Sequence, residues 1–347
     1  MDKTKQKKKM KILKHLRVPT GDILVIEGSK GSLEIISVGD YGKARNIKAD
    51  FLGFPDQIKG VPHGNLMPLQ KKWVITLSTQ YGCSMGCPYC DVPKVGPGIN
   101  ASFNDLVQQI LTGIHLHPEV EKTERLNIHF ARMGEPSFNP NVLDVAKWAK
   151  QHLEIGDDGE IKYKLHPVVS TIMPKNNQWL RTFINTWMKI KNRIYSGNAG
   201  LQISLNSTDE KQREYLFNGK ACSIPRISQI MEGIVPFGRK ITLNIILTDQ
   251  TIIDPHYLIN YFDPEYYLIK ITPVHETTAC KENLIYTTNG YTIYEPYEEL
   301  ENALKNVGYD VIVFIPSIEE DKGLITCGNV ILSGSTPNIP YKDMFSE

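Results

Sequence analysis

From Lys71 onward, short apolar runs alternate with amphipathic ones, and this alternation limits the possible folds more than any other feature of the chain. WVITLS (73 to 78), LNIHFA (126 to 131), KLHPVVST (164 to 171), LQISLN (201 to 206), ITLNIILT (241 to 248), YYLIKIT (266 to 272) and DVIVFI (310 to 315) have the length and β-branched content of strands. FNDLVQQILTGIHL, VLDVAKWAKQHL, NNQWLRTFINTWMKI, IPRISQIMEGIV and PYEELENALKNV lie between them as helix candidates. A parallel neighbour can be reached only through a crossover, so repeated strand–helix units predict an α/β fold with a parallel sheet, curved or closed into a partial barrel, and helices outside.

The first seventy residues follow another pattern. DILVIEG and SLEIISVG are two β-prone runs separated by Ser29, Lys30 and Gly31, and a stretch punctuated by Gly and Pro continues to about Pro68. The expected organisation is a basic arm (1–18), a β-rich accessory module (19–70), the α/β unit (71–333) and a tail (334–347) that reads as loop. Residues 1 to 17 hold eight Lys or Arg against one Asp, whereas the whole chain carries +1, so everything after the arm is net acidic. Such an arm suits the phosphates of nucleic acid, and a solvated tail explains it equally well. No apolar run has the length of a bilayer span, the N-terminus lacks the apolar segment of a secretory signal, and six cysteines in 347 residues are too few for a disulfide framework. The expectation is a cytoplasmic protein with no membrane partner.

Three of those cysteines crowd into TQYGCSMGCPYCDVP, where Cys83, Cys87 and Cys90 are spaced C-x3-C-x2-C and Gly82 and Gly86 let the backbone wrap tightly. A structural zinc ion takes four ligands, and the nearest histidines, His63 and His115, are distant in sequence. A [4Fe-4S] cluster suits three thiolates, because its fourth iron is then left open to a cofactor or substrate. Zinc completed from elsewhere stays open on the residues alone. In a parallel sheet the chemistry gathers at the C-terminal strand ends. The cysteines follow the first strand there, Met133 to Pro136 the second, Ser170 and Thr171 end the third, Asn206 ends the fourth, and His275 follows a later one.

The cysteine loop resembles the signature of radical S-adenosylmethionine (SAM) enzymes, with Tyr89 in the aromatic place. That resemblance implies a [4Fe-4S] cluster on the three cysteines, SAM on the open iron, a reducing partner such as flavodoxin or ferredoxin, and a partial (β/α)6 barrel. A narrower likeness follows from STQYGCSMGCPYC, RMGEPSFN, VVSTIMP, ISLNSTDEKQREYLF, ITPVHE and LITCGNV, in that order. They are similar to the motifs of the radical SAM RNA adenine-carbon methyltransferases over about residues 73 to 332. By position, the family pattern implies SAM contacts from Gly134, Glu135, Ser170, Ser204 and Asn206. It also places His275 where the family has a SAM-contacting Asn, and Asn206 where it has a His.

In that family the methyl group travels on a cysteine of a C-terminal turn, and Cys327 in TCGNV takes this place. Sulfur is suited to the task, since a thiolate attacks a sulfonium methyl and the atom then stabilises an adjacent radical. The sequence departs from the family at two points. Thr76 stands seven residues before Cys83, where the family has a second cysteine that releases product, and VPHGNLMPLQKKW holds no counterpart of the family's N-terminal acid. Cys280 in HETTAC, Cys222 in GKACS and His275 are candidates to fill the role. An alternative is that the radical acts on a small molecule, a nucleotide or a peptide.

Overall fold

A computed structural model describes residues 10–18, 20–40, 46–47, 67–287, 294–316, 320, 323–337 and 342–343. Most of the basic arm (1–9) and much of the expected accessory module (48–66) lie outside the described residues, as does His63. The chain begins with β1 (Ile12–Val18), β2 (Gly21–Gly28) and β3 (Gly31–Gly39), an antiparallel meander, followed by the short β4 (Asn46–Ile47). Then come β5 (Trp73–Leu77), a hairpin of β6 (Gln80–Gly82) and β7 (Pro97–Asn100), α1 (Phe103–His115) and β8 (Thr123–Phe130). The series continues with α2 (Asn141–Leu153), β9 (Tyr163–Thr171), α3 (Leu180–Lys189), β10 (Gly200–Ser204), α4 (Glu210–Leu216), α5 (Ile224–Met231) and β11 (Ile241–Leu247). It ends with α6 (Pro255–Ile259), β12 (Tyr267–Pro273), α7 (Thr278–Glu282), α8 (Glu295–Asn306), β13 (Asp310–Ile315) and β14 (Lys342–Asp343).

All but the small hairpin belong to one mixed sheet of twelve strands in the order β14-β1-β2-β3-β5-β8-β9-β10-β11-β12-β13-β4. From β5 to β4 every pairing is parallel, as the strand–helix alternation requires. The meander joins edge to edge, with β3 antiparallel to β5. Side chains alternate between the two faces of each strand. Ile75, Ile128, Val169, Leu201, Leu243 and Ile269 point to the helix-covered face and are fully buried. Thr76, His129, Ser170, Gln202, Asn244 and Lys270 point to the other face and are only half-buried. That second, polar face is where the strand registers align groups able to do chemistry.

Two segments differ from the sequence expectation. ILKHLRV, counted with the basic arm, is strand β1, because Leu16 and Val18 alternate with its charges and pack with Ile23 and Ile36. A charge count hides that alternation. Lys342 and Asp343, within the tail expected to be loop, pair with Arg17 and Leu16. The meander is tied to the α/β unit through Asp105. Its carboxylate closes a capping box with Ser102 at the start of α1 and also accepts from Ser29 N at 3.0 Å and Ser29 Oγ at 2.6 Å. Among the described residues no helix is long and apolar enough to cross a membrane.

Candidate active site

The β6–β7 hairpin opens into the cysteine loop directly after β5. Cys83 N donates to Gly96 O at 3.1 Å and Cys90 N to Cys87 O at 3.1 Å, so the loop coils back on itself. Gly82, at φ +78°, crosses the opposite arm so closely that a Cβ would lie 2.1 Å from Gly96 O. Only glycine fits. The three thiols are half-buried. Burial pushes Cys83 up to about 11 and Cys87 up to about 12, and it raises Cys90 too; the negative charge of Cys83 adds to the shift of Cys87, and both add to that of Cys90. Among the described residues no three His, Cys, Asp or Glu side chains are drawn together as for a single metal ion, whose thiolates at about 2.3 Å would stand only ~3.8 Å apart. Three thiols on one loop, each costly as a thiolate unless a cation neutralises it, fit a larger iron–sulfur group as donors.

The loop is seated on the far strands through Asp91. Its carboxylate accepts from Thr278 N at 2.9 Å and Ala279 N at 2.8 Å, at the head of α7, and lies 3.3 Å from Lys94 Nζ, which also pairs with Glu282 at 2.9 Å. Its own N–H donates to Gly328 O at 2.9 Å, which docks the C-terminal turn on the loop. Thr277 Oγ1 donates to Tyr89 O at 3.0 Å and Asn283 Nδ2 to Pro88 O at 3.0 Å. Segments nearly two hundred residues apart in sequence thus hold one another.

The GEP turn follows β8. Gly134 has φ +90°, and a Cβ there would meet Gln80 Cβ at 2.5 Å. Gln80 joins this turn to the hairpin, accepting from Glu135 N at 2.9 Å while donating to Gly98 O and Asn100 Oδ1, each at 2.8 Å. Glu135 is buried, and its two oxygens accept from Ser137 N and Ile172 N at 3.0 Å each. Burial raises its pKa against the pull of these bonds. A carboxylate has further lone pairs, so it keeps capacity for a cationic ligand.

At the next strand ends, Ser170 Oγ donates to Gln202 Oε1 at 2.9 Å, and Asn244 Nδ2 reaches the same oxygen at 3.2 Å. Ser204 ends β10 and its carbonyl accepts from Arg213 Nη1 at 3.1 Å. Asn206, at φ +62°, donates from Nδ2 to Tyr89 OH at 3.0 Å and accepts from Ile246 N at 3.3 Å, so it fixes the aromatic ring of the loop. His275 follows β12, and its carbonyl accepts from the Cys280 thiol at 3.2 Å. Thr76 lies on the polar face in register with His129, whose imidazole is driven down to about 3 by burial and by Lys270.

Cys327 is solvent-exposed, yet surrounding protein raises its thiol pKa, with Arg132 and Lys270 opposing the rise. Its charge raises the pKa values of Cys87, Cys90 and Tyr89 in turn, so it faces the cysteine loop. Cys280 is buried, within 3.7 Å of Tyr89 O, and Cys222 is buried under α4, its carbonyl accepting from Arg213 Nε at 3.0 Å. The turn that carries Cys327 is clamped by a pair absent from the sequence reading. Arg132 Nη2 donates to Glu34 Oε1 at 2.7 Å and to Leu324 O at 2.8 Å, and Nη1 to Thr326 O at 3.3 Å; Glu34 Oε2 accepts from Leu332 N at 2.8 Å. Gln80, Asp91, Arg132 and Glu34 went unread because they act on backbone that only the fold brings near. Gln80, Asp91 and Arg132 lie within the motifs quoted above, and that membership is their one sequence signal.

No family model matches the chain. A probable dual-specificity RNA methyltransferase RlmN of Thermus thermophilus is 34% identical over 82 residues, 23% of this chain and 23% of its own. The protein of that description from Prochlorococcus marinus is 31% identical over 186 residues, 52% of this chain and 47% of its own. The matched part therefore spans less than half of these relatives. The crystal structure of a radical SAM methyltransferase from Sphaerobacter thermophilus superposes with a TM-score of 0.65 at 16% identity, covering 93% of this chain and 82% of that one. At that identity the likeness establishes the fold. This chain has an α/β fold with a large mixed sheet, shared with that radical SAM methyltransferase structure, and the relatives named here are RNA methyltransferases.

Proposed function

We propose that this protein is a radical SAM enzyme that methylates an adenine carbon in RNA through Cys327. The observation that carries the reading is the docking of the TCG turn on the cysteine loop, Asp91 N to Gly328 O at 2.9 Å, which brings a thiol 237 residues after Cys90 into its electrostatic reach. Cys83, Cys87 and Cys90 hold a [4Fe-4S] cluster, and Gly134, Glu135, Ser170, Ser204, Asn206 and His275 line the side from which SAM is held. When bound, these cofactors supply a methyl group and a 5′-deoxyadenosyl radical. Tyr89, pinned by Asn206, and Phe217, edge-on at 6.4 Å, keep water from the loop. Cys327 accepts the methyl group as its thiolate, and the Arg132–Glu34 clamp fixes the turn on which it does so. A flavodoxin or ferredoxin supplies electrons, the basic arm adds contacts to RNA phosphates, and the enzyme works in the cytoplasm.

The parallel strands curve into a partial (β/α)6 barrel. What supports this is the reach of Lys270, the strongest single charge on His129 although four strand steps away. In a flat sheet those steps would span ~19 Å, beyond effective Coulomb range.

Two measurements test the function. After anaerobic reconstitution and incubation with methyl-labelled SAM, the label is expected on the Cys327 peptide by mass spectrometry and then on adenine of added RNA. Cys327→Ala is expected to show neither; label on RNA in that variant, or none on the thiol of the parent, refutes the pathway. A second reading keeps the radical and changes the substrate to a small molecule or nucleotide. Thr76, beside a neutral His129 where the family has its second cysteine, and the burial of Cys280 favour it. Deoxyadenosine release that ignores RNA and responds to metabolite fractions is the result that would select it.

A further inference from the structure

We propose that the amino-terminal end of the polar sheet face, opposite the cysteine loop, is a binding site for a phosphate group gripped by Arg125 and Arg239. Both guanidiniums are half-buried. Arg125, at the start of β8, donates from Nε to Asn127 Oδ1 at 3.1 Å. Arg239, just before β11, donates from Nη1 to Asn198 O at 3.3 Å, and the same carbonyl lies 3.2 Å from His166 Nδ1. Asn127 is in register with His166, so the two forks flank one imidazole.

No carboxylate among the described residues pairs with either arginine. Among the described residues the acid whose charge reaches Arg125 is Asp40, and Asp40 lies 2.9 Å from Lys72 Nζ. Burial lowers both guanidiniums, and Arg125 further lowers Arg239, to about 10. Lys270, over the Phe314 ring at 4.5 Å, extends the positive field toward His129. Two desolvated, mutually repelling cations are a standing cost unless an anion enters between them. Gly200 keeps the approach open, since a Cβ there would stand 3.3 Å from Arg239 Nη1 and 3.2 Å from Val168.

The donor set selects the ligand. Two planar forks match a tetrahedral phosphate bidentately, and a neutral His166, whose Nδ1–H is spent on Asn198 O, leaves Nε2 as an acceptor for the P–OH of the monoanion. The group is free inorganic phosphate or the phosphate of a nucleotide. The site lies at the strand ends remote from the cysteines, so it stands whether or not the methyl-transfer reading does.

The full-length protein is melted in chloride at fixed ionic strength with increasing inorganic phosphate, or with increasing AMP. A saturable rise in melting temperature is expected with phosphate, and half-saturation at least tenfold weaker in Arg239→Gln and in Arg125→Gln. Tighter response to AMP than to phosphate assigns the phosphate to a nucleotide, and equal response assigns it to the free ion. Should Arg125→Gln not fold, Arg239→Lys, which keeps the charge and loses the fork, is expected to weaken binding between parent and Arg239→Gln. No saturable response in the parent, or a response unchanged in the Arg239 variants, overturns the proposal.

Discussion

Replacing Arg132 by Leu tests the clamp on the Cys327 turn. Arg132 is 4% exposed and Glu34 fully buried, so their 2.7 Å pair is shielded from water. The substitution leaves the Glu34 carboxylate with Leu332 N as its remaining partner and strips donors from Leu324 O and Thr326 O. Stranding a buried charge costs about 3–5 kcal/mol, and each orphaned carbonyl adds roughly 1 kcal/mol. Removing both charges in Glu34→Leu/Arg132→Leu avoids the first cost, leaving roughly 2–4 kcal/mol for the unpaired backbone groups. Anaerobic urea denaturation of parent, both single variants and the double variant measures the cycle, and the double variant is expected to be more stable than Arg132→Leu. Amide exchange over 324–332 should speed up most in Arg132→Leu. If that variant lies within about 1 kcal/mol of the parent, or the two single losses simply add, the pair does not hold the turn.

Gly134→Ala should weaken SAM binding severely and destabilise the chain by about 2–3 kcal/mol, since φ +90° and a Cβ contact of 2.5 Å to Gln80 are both prohibitive; equilibrium dialysis and melting check this. In the iron-free protein, a Cys83 thiol raised to about 11 should have roughly 300-fold less thiolate at pH 7 than a free cysteine, so alkylation followed by mass spectrometry should be slow and accelerate up to that pH. Labelling at the rate of free cysteine would contradict the burial described. The Asp22 carboxylate, 2.6 Å from His15 and 3.4 Å from His117 and Arg17, is held well below its usual pKa because these partners outweigh its burial, while contact with Asp22 raises His117. The depressed acid contributes stability above about pH 4 that is lost on acidification, and the raised imidazole contributes below about pH 6.5 and loses it as pH rises through its folded pKa. The contribution of this pair should therefore fall as pH rises above about 6.5, so in urea melts the stability of the parent relative to Asp22→Asn should decline over that range.

How much of this was legible beforehand depends on the distance over which each signal acts. The seven strands expected after Lys71 lie within a few residues of where their apolar runs put them, because the two-residue period and the length of a buried strand are local properties; the short β6, β7 and β14 have no such run. Strand β1 is hidden in the sequence by the eight Lys and Arg of residues 1 to 17, although ILKHLRV itself holds one of each and Leu16 and Val18 alternate with Arg17. Helices α4, α6 and α7 are five to seven residues long, too short to show a period, and their local signs are the capping side chains Asp209, Asp254 and Thr277, with Pro255 at the start of α6.

The sequence by itself determined the parallel α/β unit, the spacing of three thiols on one glycine-hinged loop, and the order of the motifs along the chain, all set by neighbours in sequence. Only the tertiary structure decided which of these meet. Asp91 ties the loop to α7 and to Gly328, Gln80 ties it to the GEP turn, and Arg132 reaches Glu34 and the Cys327 turn together. Apart from the Asp91 N–H bond to Gly328, which is wholly main-chain, each acts through a side chain bonded mainly to main-chain atoms. Any residue offers those atoms, so sequence cannot name the partner; it is chosen when the strands pair and bring one particular stretch of backbone within 3 Å.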